Sequence, residues 1–158
     1  MASRVRISVV IATCGRDSLG RAVRSAAWAD ERIILFNEWG SWGARAKNLG
    51  MDWASGTHVC FMDDDDCYTP EAGDLIRKAV RARPKRIHIF SMSTVKAEGV
   101  FMGGVGLPMF IVPNIPGKLA RFPEHEYACD FYFIDETVKL QSEPVFHEEC
   151  IALIKPEA

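Results

Sequence analysis

The chain has 158 residues, enough for one self-sufficient core and too few for two full domains. With 48% hydrophobic and 25% charged residues and a formal net charge of −2, its composition excludes a disordered chain. The apolar runs ISVVIA, IILF and MFIV are each the length of a buried strand, far short of the roughly 18 residues that cross a bilayer, so no membrane span is expected.

The opening MASRVRISVV passes straight into a strand pattern without the long apolar stretch of a signal peptide, which makes the cytoplasm the expected compartment. Arg6–Ala12 is a nearly continuous β-branched run, as a parallel strand covered on both faces requires. A turn, Thr13–Ser18, leads to a predicted helix on which Leu19, Val23, Ala26 and Ala27 recur at helical spacing. RIILF is a second strand. ARAKNLGMDWA is a second helix that offers Leu49, Met51 and Trp53 for packing and ends at Gly56. THVCFM is a third strand that stops abruptly at Asp63-Asp64-Asp65-Asp66. The next helix is expected with Thr69 as its cap and Pro70 at its first position. Alternation of strands and helices implies right-handed crossovers and a parallel sheet.

RIHIFSMS reads as a fourth strand. Gly99, Gly103, Gly104, Gly106, Pro108, Pro113, Pro116 and Gly117 then divide the chain into short strands and loops. A last helix is expected over Tyr127–Leu140 with Phe131, Ile134 and Val138 on one face, and PVFHEECIALI as a closing strand or hairpin. The five cysteines are odd in number, lack C-x-x-C spacing and read as reduced, mostly buried small apolar residues.

Four consecutive aspartates after an apolar strand crowd like charges, a cost that a core strand has no reason to bear. In an open α/β sheet ligands bind beyond the carboxyl ends of the strands, where this cluster falls. Hard oxygen ligands suit Mg²⁺ or Mn²⁺, with positions left for substrate phosphates. Capping of the following helix is the structural alternative, but a cap uses one or two acids near the helix start rather than four from Asp63.

The stretches ISVVIATCGRDSLGRAVRSA and ARAKNLGMDWASGTHVCFMDDDD resemble, in order and spacing, the first half of the inverting, family-two-like GT-A glycosyltransferases. Those enzymes carry an apolar strand ending in Pro/Ala-Thr, then A-R-N-x-G, then a strand with the D-x-D motif. The resemblance is close over residues 6–75 and rests on short motifs beyond. It implies an α/β, Rossmann-like GT-A fold with a mostly parallel central sheet flanked by helices. The whole chain, 1–158, would be one domain, with a nucleotide-sugar-binding half over about 1–75 and an acceptor and catalytic half over about 76–158.

By the same resemblance, Thr13 and its neighbours, Arg16 among them, line the nucleoside pocket, and Asn37 or Glu38 contacts the base. Lys47, with Arg45 as a near competitor, screens the donor diphosphate; a solvated helix-face cation is the plain alternative. Asp65 holds Mn²⁺ or Mg²⁺, and Asp63 and Asp64 contact ribose or sugar. Asp130 is the general base, with Cys129 where the family has glutamate and with Asp135 or Glu126 as substitutes. His147, in EPVFHEE, is a further metal ligand or else a packed strand residue. Arg121 and Phe122, in the proline-rich loop before the base, contact the acceptor.

The tryptophans Trp28, Trp39, Trp42 and Trp53 are mainly core candidates, although Trp39 and Trp42 flank Gly40 in a loop and are placed to stack on a base or sugar. His58, His88 and His125 are assigned no chemistry, and the basic run from Arg77 to Arg86 reads as a solvated helix end. The expected reaction is transfer of a sugar from a nucleotide-sugar, UDP-linked by preference, to a hydroxyl acceptor with inversion. The compact chain is similar to small bacteriophage glycosyltransferases, which implies a hydroxymethylated DNA base or a virion component as acceptor. The competing readings are a nucleotidyltransferase, which would want a glycine-rich basic loop after the first strand, and a non-catalytic nucleotide- or metal-binding module.

Overall fold

A computed structural model describes residues 4–37 and 40–157. The strands are β1 (Ile7–Thr13), β2 (Glu31–Phe36), β3 (His58–Asp63), the short β4 (Cys67–Tyr68), β5 (His88–Met92), β6 (Phe110–Pro113) and β7 (Val145–Leu153). The helices are α1 (Leu19–Ser25), α2 (Ala44–Trp53), α3 (Ala72–Ala82) and α4 (Cys129–Leu140).

The strands form one sheet in the order β2-β1-β3-β6-β5-β7-β4. β1 pairs in parallel with β2 and β3, and β5 in parallel with β7. β6 runs antiparallel between β3 and β5, so β2, β1, β3, β5 and β7 share one direction, and β4 returns antiparallel along β7. The carboxyl ends of the five co-directional strands therefore face the same edge. The doubly covered centre explains why every residue of β1 is buried.

Side chains alternate between two apolar layers. Val10, Val59 and Phe61 point to the side covered by α2 and α4, where Ala44, Met51, Phe133 and Ile134 close the core. Ile7, Val9, Ile11, Cys60 and Met62 point to the side covered by α1 and α3, against Ala22, Ile76 and Val80. α2 approaches β1 closely at Gly50, where an added Cβ would lie 2.4 Å from Val10 Cγ1.

Several local expectations are corrected. α2 ends at Trp53 rather than at Gly56; Gly56 is needed because a Cβ there would meet Ser8 Oγ at 2.6 Å. Of the three packing residues expected from α2, Met51 is buried but Leu49 and Trp53 face solvent. α3 begins at Ala72, after a turn at Pro70 and Glu71, and the Thr69 hydroxyl donates to Cys150 O instead of capping it. α4 begins at Cys129, two residues later than expected, and its inner face is Cys129, Phe133, Ile134 and Thr137, with Phe131 and Val138 only partly buried. Trp42 is as exposed as Trp53, so neither belongs to the core. All five cysteines are free, with Cys60, Cys67 and Cys129 buried, Cys14 half-buried and Cys150 exposed.

Candidate active site

The acidic run sits at the shared carboxyl edge, and its four members have different surroundings. Asp64 is buried and faces β1: it accepts from Thr13 Oγ1 at 2.7 Å, Cys14 N at 3.0 Å and Arg16 Nη1 at 2.7 Å. Burial alone would raise its pKa, but these donors hold the carboxyl below its ordinary value. The other three converge: Asp63, Asp65 and Asp66 each offer a carboxylate oxygen within 4.8 Å of one another. Asp66 is buried, and burial together with the charges of Asp63 and Asp65 pushes its pKa up to about 6, although Lys155 N donates to it at 2.9 Å. Three hard oxygen donors, one of them short of compensating charge, form a donor set suited to Mg²⁺ or Mn²⁺.

Lys47 lies at the centre of the site. Its side chain is 2% exposed, and Nζ is 3.1 Å from both Asp63 Oδ1 and Asp130 Oδ1. Burial would lower its pKa, yet the two carboxylates raise it well above the usual lysine value, so the ammonium is permanent. It is therefore paired within the protein and is not the solvated helix-face cation of the plain alternative. Arg45, the competitor, is exposed and bonded to Glu124 at 3.2 Å.

Asp130 stands in the first turn of α4, half-buried, with Oδ1 taken by Lys47. Its predecessor Cys129 is a neutral thiol, pushed up to about 12 by burial and by the charge of Asp130. The substitutes fall elsewhere: Asp135 is paired with Lys139 at 2.7 Å, and Glu126 is exposed.

Other expected residues are placed differently. Arg16 carries Asp64 and lies 3.5 Å from Asp65, half-exposed beside the triad. Asn37 follows β2 and accepts from Ser41 Oγ at 2.9 Å, near the β1 end through Asn37 N to Thr13 O at 2.7 Å. Glu38 and Trp39 lie outside the described residues. Arg121 forms a two-pronged, exposed pair with Asp52 at 2.6 and 3.0 Å, while Phe122 is 1% exposed in the core, stacked on Phe133 at 3.9 Å. Phe122 is thus no acceptor contact.

His147 is not part of the acidic triad. It pairs with Phe90 in the sheet, stacks on that ring at 4.2 Å, and its Nε2 meets His88 Nδ1 at 2.9 Å. β7 is bulged beyond it, since Cys150 is opposite Ser91 and Ala152 opposite Met92, so the strand runs on to Leu153 through an irregular register. The packed-residue alternative describes His147. Sequence reasoning missed Lys155, whose backbone closes on Asp66 and whose Nζ is 3.9 Å from Asp65; a lysine near the chain end gives no local signal. It also missed Tyr127, exposed three positions before Asp130 and edge-on to Trp42 at 4.9 Å.

The sequence profile described as glycosyl transferase family 2 matches residues 9–134, spanning β1, the acidic run and Asp130. The chain belongs to this family. It is 26% identical over 131 residues to the amylovoran biosynthesis glycosyltransferase AmsB of Erwinia amylovora, covering 79% of this chain and 41% of AmsB. It is 24% identical over 76 residues to an uncharacterized glycosyltransferase of Haemophilus influenzae, covering 48% of this chain and 25% of that protein. The chain thus spans less than half the length of either relative.

Among solved structures it shares its fold with S. aureus TarS, with a TM-score of 0.71 at 14% identity over 96% of this chain and 37% of TarS. A complex of TarS 1–349 with UDP-GlcNAc superposes with a TM-score of 0.68 at 16% identity, over 97% and 59% of the respective chains. The fold is therefore the expected GT-A α/β architecture. Among the described residues no helix is long and apolar enough to cross a membrane.

Proposed function

We propose that this chain transfers a sugar from a nucleotide-sugar, UDP-linked by preference, to an acceptor hydroxyl with inversion at the anomeric carbon. The observation that carries the reading is the meeting of two kinds of carboxylate at one sheet edge: the Asp63/Asp65/Asp66 triad and the separate Asp130, bridged at 3.1 Å on each side by Lys47. The first suits a cation and its diphosphate, the second a hydroxyl proton.

Asp65 and Asp66, with Asp63, would hold Mn²⁺ or Mg²⁺, which supplies charge neutralisation for a departing diphosphate. Arg16, next to Asp65 and half in solvent, adds positive charge on that side. Thr13 and Cys14, through Asp64, fix the end of β1 beneath the nucleoside, and Asn37 stands where the base is met. Asp130 accepts the proton of the incoming hydroxyl on Oδ2, since Oδ1 is engaged by Lys47. The one-carboxylate chemistry follows: direct displacement needs a base for the acceptor and no protein nucleophile. AmsB, named a glycosyltransferase of amylovoran biosynthesis, supports glycosyl transfer, and TarS, solved with UDP-GlcNAc, supports a nucleotide-sugar donor.

The test is incubation of the purified protein with Mn²⁺ and a panel of UDP- and other nucleotide-sugars, scoring release of nucleoside diphosphate. Slow hydrolysis of one donor, dependent on the metal, is expected. A protein that neither binds UDP nor consumes any donor has another function.

A further inference from the structure

The buried ammonium of Lys47, paired with two carboxylates, has no step assigned to it in that chemistry. A lysine in a core needs a strong reason: burial penalises its charge, and an apolar residue of the same volume would pack there without it. Lys47 rises from α2, passes 5.7 Å from the centre of the Phe122 ring, and ends between two carboxylates from distant parts of the chain. Asp63 is the tip of β3 and belongs to the metal-suited triad. Asp130 belongs to α4. They lie 67 positions apart in sequence, and among the described residues Lys47 is the cation that ion-pairs with both.

We infer that Lys47 is a positioning residue that couples the donor side of the site to the base, by fixing the Asp130 carboxylate against the Asp63 side of the acidic triad. The inference rests on the transferase reading above. One oxygen of Asp130 is pinned, which leaves Oδ2 presented in a single orientation to the acceptor hydroxyl. A cation between the two acids also removes the repulsion that would otherwise turn Asp130 away from Asp63. Neither effect requires Lys47 to touch donor or acceptor. Pre-organisation of this kind acts on the reacting geometry, where small misplacements are costly, and leaves ground-state donor binding largely intact.

The experiment compares wild type with Lys47→Arg and Lys47→Met, using the nucleotide-sugar that wild type hydrolyses fastest, UDP with Mn²⁺ for calorimetry, and a thermal melt. For Lys47→Met the expected result is a fall in kcat of about 100-fold with the Kd for UDP within about threefold of wild type. Lys47→Arg, which keeps the charge, is expected to recover at least about a tenth of wild-type kcat. Unchanged kcat in Lys47→Met overturns the coupling, as does a loss confined to UDP affinity, which would make Lys47 a donor contact. Should Lys47→Met fail to fold, Lys47→Gln, which keeps a polar end without the charge, is measured in the same way, and a kcat equal to wild type overturns the coupling. Failure of wild type to bind UDP or consume any donor sinks the transferase reading itself, a different outcome from either.

Discussion

The Thr13 hydroxyl donates to Asp64 Oδ2 at 2.7 Å, so the last residue of β1 and the second aspartate of the acidic run are joined across 51 positions of sequence. Asp64 is 1% exposed and also carries Arg16 and Cys14 N, which makes it the bracket that holds the first loop against β3. Thr13→Val should lower stability by about 1–3 kcal/mol in urea unfolding at pH 7, because a buried carboxylate loses a donor.

The same residue sets an acid limb. The carboxyl of Asp64 is held below its ordinary value of 3.8, so its ionised form contributes stability above that pH, and the contribution is lost as pH falls through the lower folded value. Asp66 has the opposite sign. Its folded value, about 6, exceeds the unfolded one, so its share of stability is present below pH 3.8 and is lost as pH rises through 6. Asp66→Asn should therefore remove a decline in stability between about pH 4 and 6, measured by urea midpoints across that range; an unaltered profile would show that Asp66 ionises normally.

The reasons these features were or were not legible differ by residue. β1, β3 and the acidic run were legible because an uninterrupted apolar strand ending in four acids is a local pattern that helix capping alone does not explain. The short strand β4 was not, since two residues carry no periodicity and it exists only by pairing with Leu153 and Ala152. Lys47 reads as a donor-diphosphate contact or a solvated helix-face cation until α4 brings Asp130 to it. His147 agreed with motif order, but its packing on Phe90 and His88 and the bulges of β7 beyond it arise from strand pairing, which a lone histidine does not signal. Phe122 lies in a loop rich in proline, where its burial between Phe61 and Phe133 has no sequence signature.

Gly50 is a packing requirement rather than a helix preference. Gly50→Ala, normally favourable in a helix interior, should here destabilise by about 1–3 kcal/mol, since its Cβ would lie 2.4 Å from Val10 Cγ1 between α2 and β1. Thermal unfolding measures it, and a more stable variant would mean that α2 can retreat from the sheet without cost.

Asp65, with 21% of its side chain exposed, is held among the described residues only by longer ion pairs to Arg16 at 3.5 Å and Lys155 at 3.9 Å. Asp65→Ala should abolish metal-dependent UDP binding in calorimetry while leaving the melting temperature within a few degrees, as expected for an acid relieved of like-charged neighbours. Unchanged affinity would remove the triad from the donor site.

Asp130 offers the most direct test of the account. Proton NMR of the fastest-hydrolysed nucleotide-sugar with Mn²⁺ should show the first-formed sugar with its anomeric configuration inverted, and Asp130→Asn should bind UDP as wild type does while releasing sugar at least about 100-fold more slowly. Retained configuration, or undiminished turnover in Asp130→Asn, would contradict displacement assisted by this carboxylate.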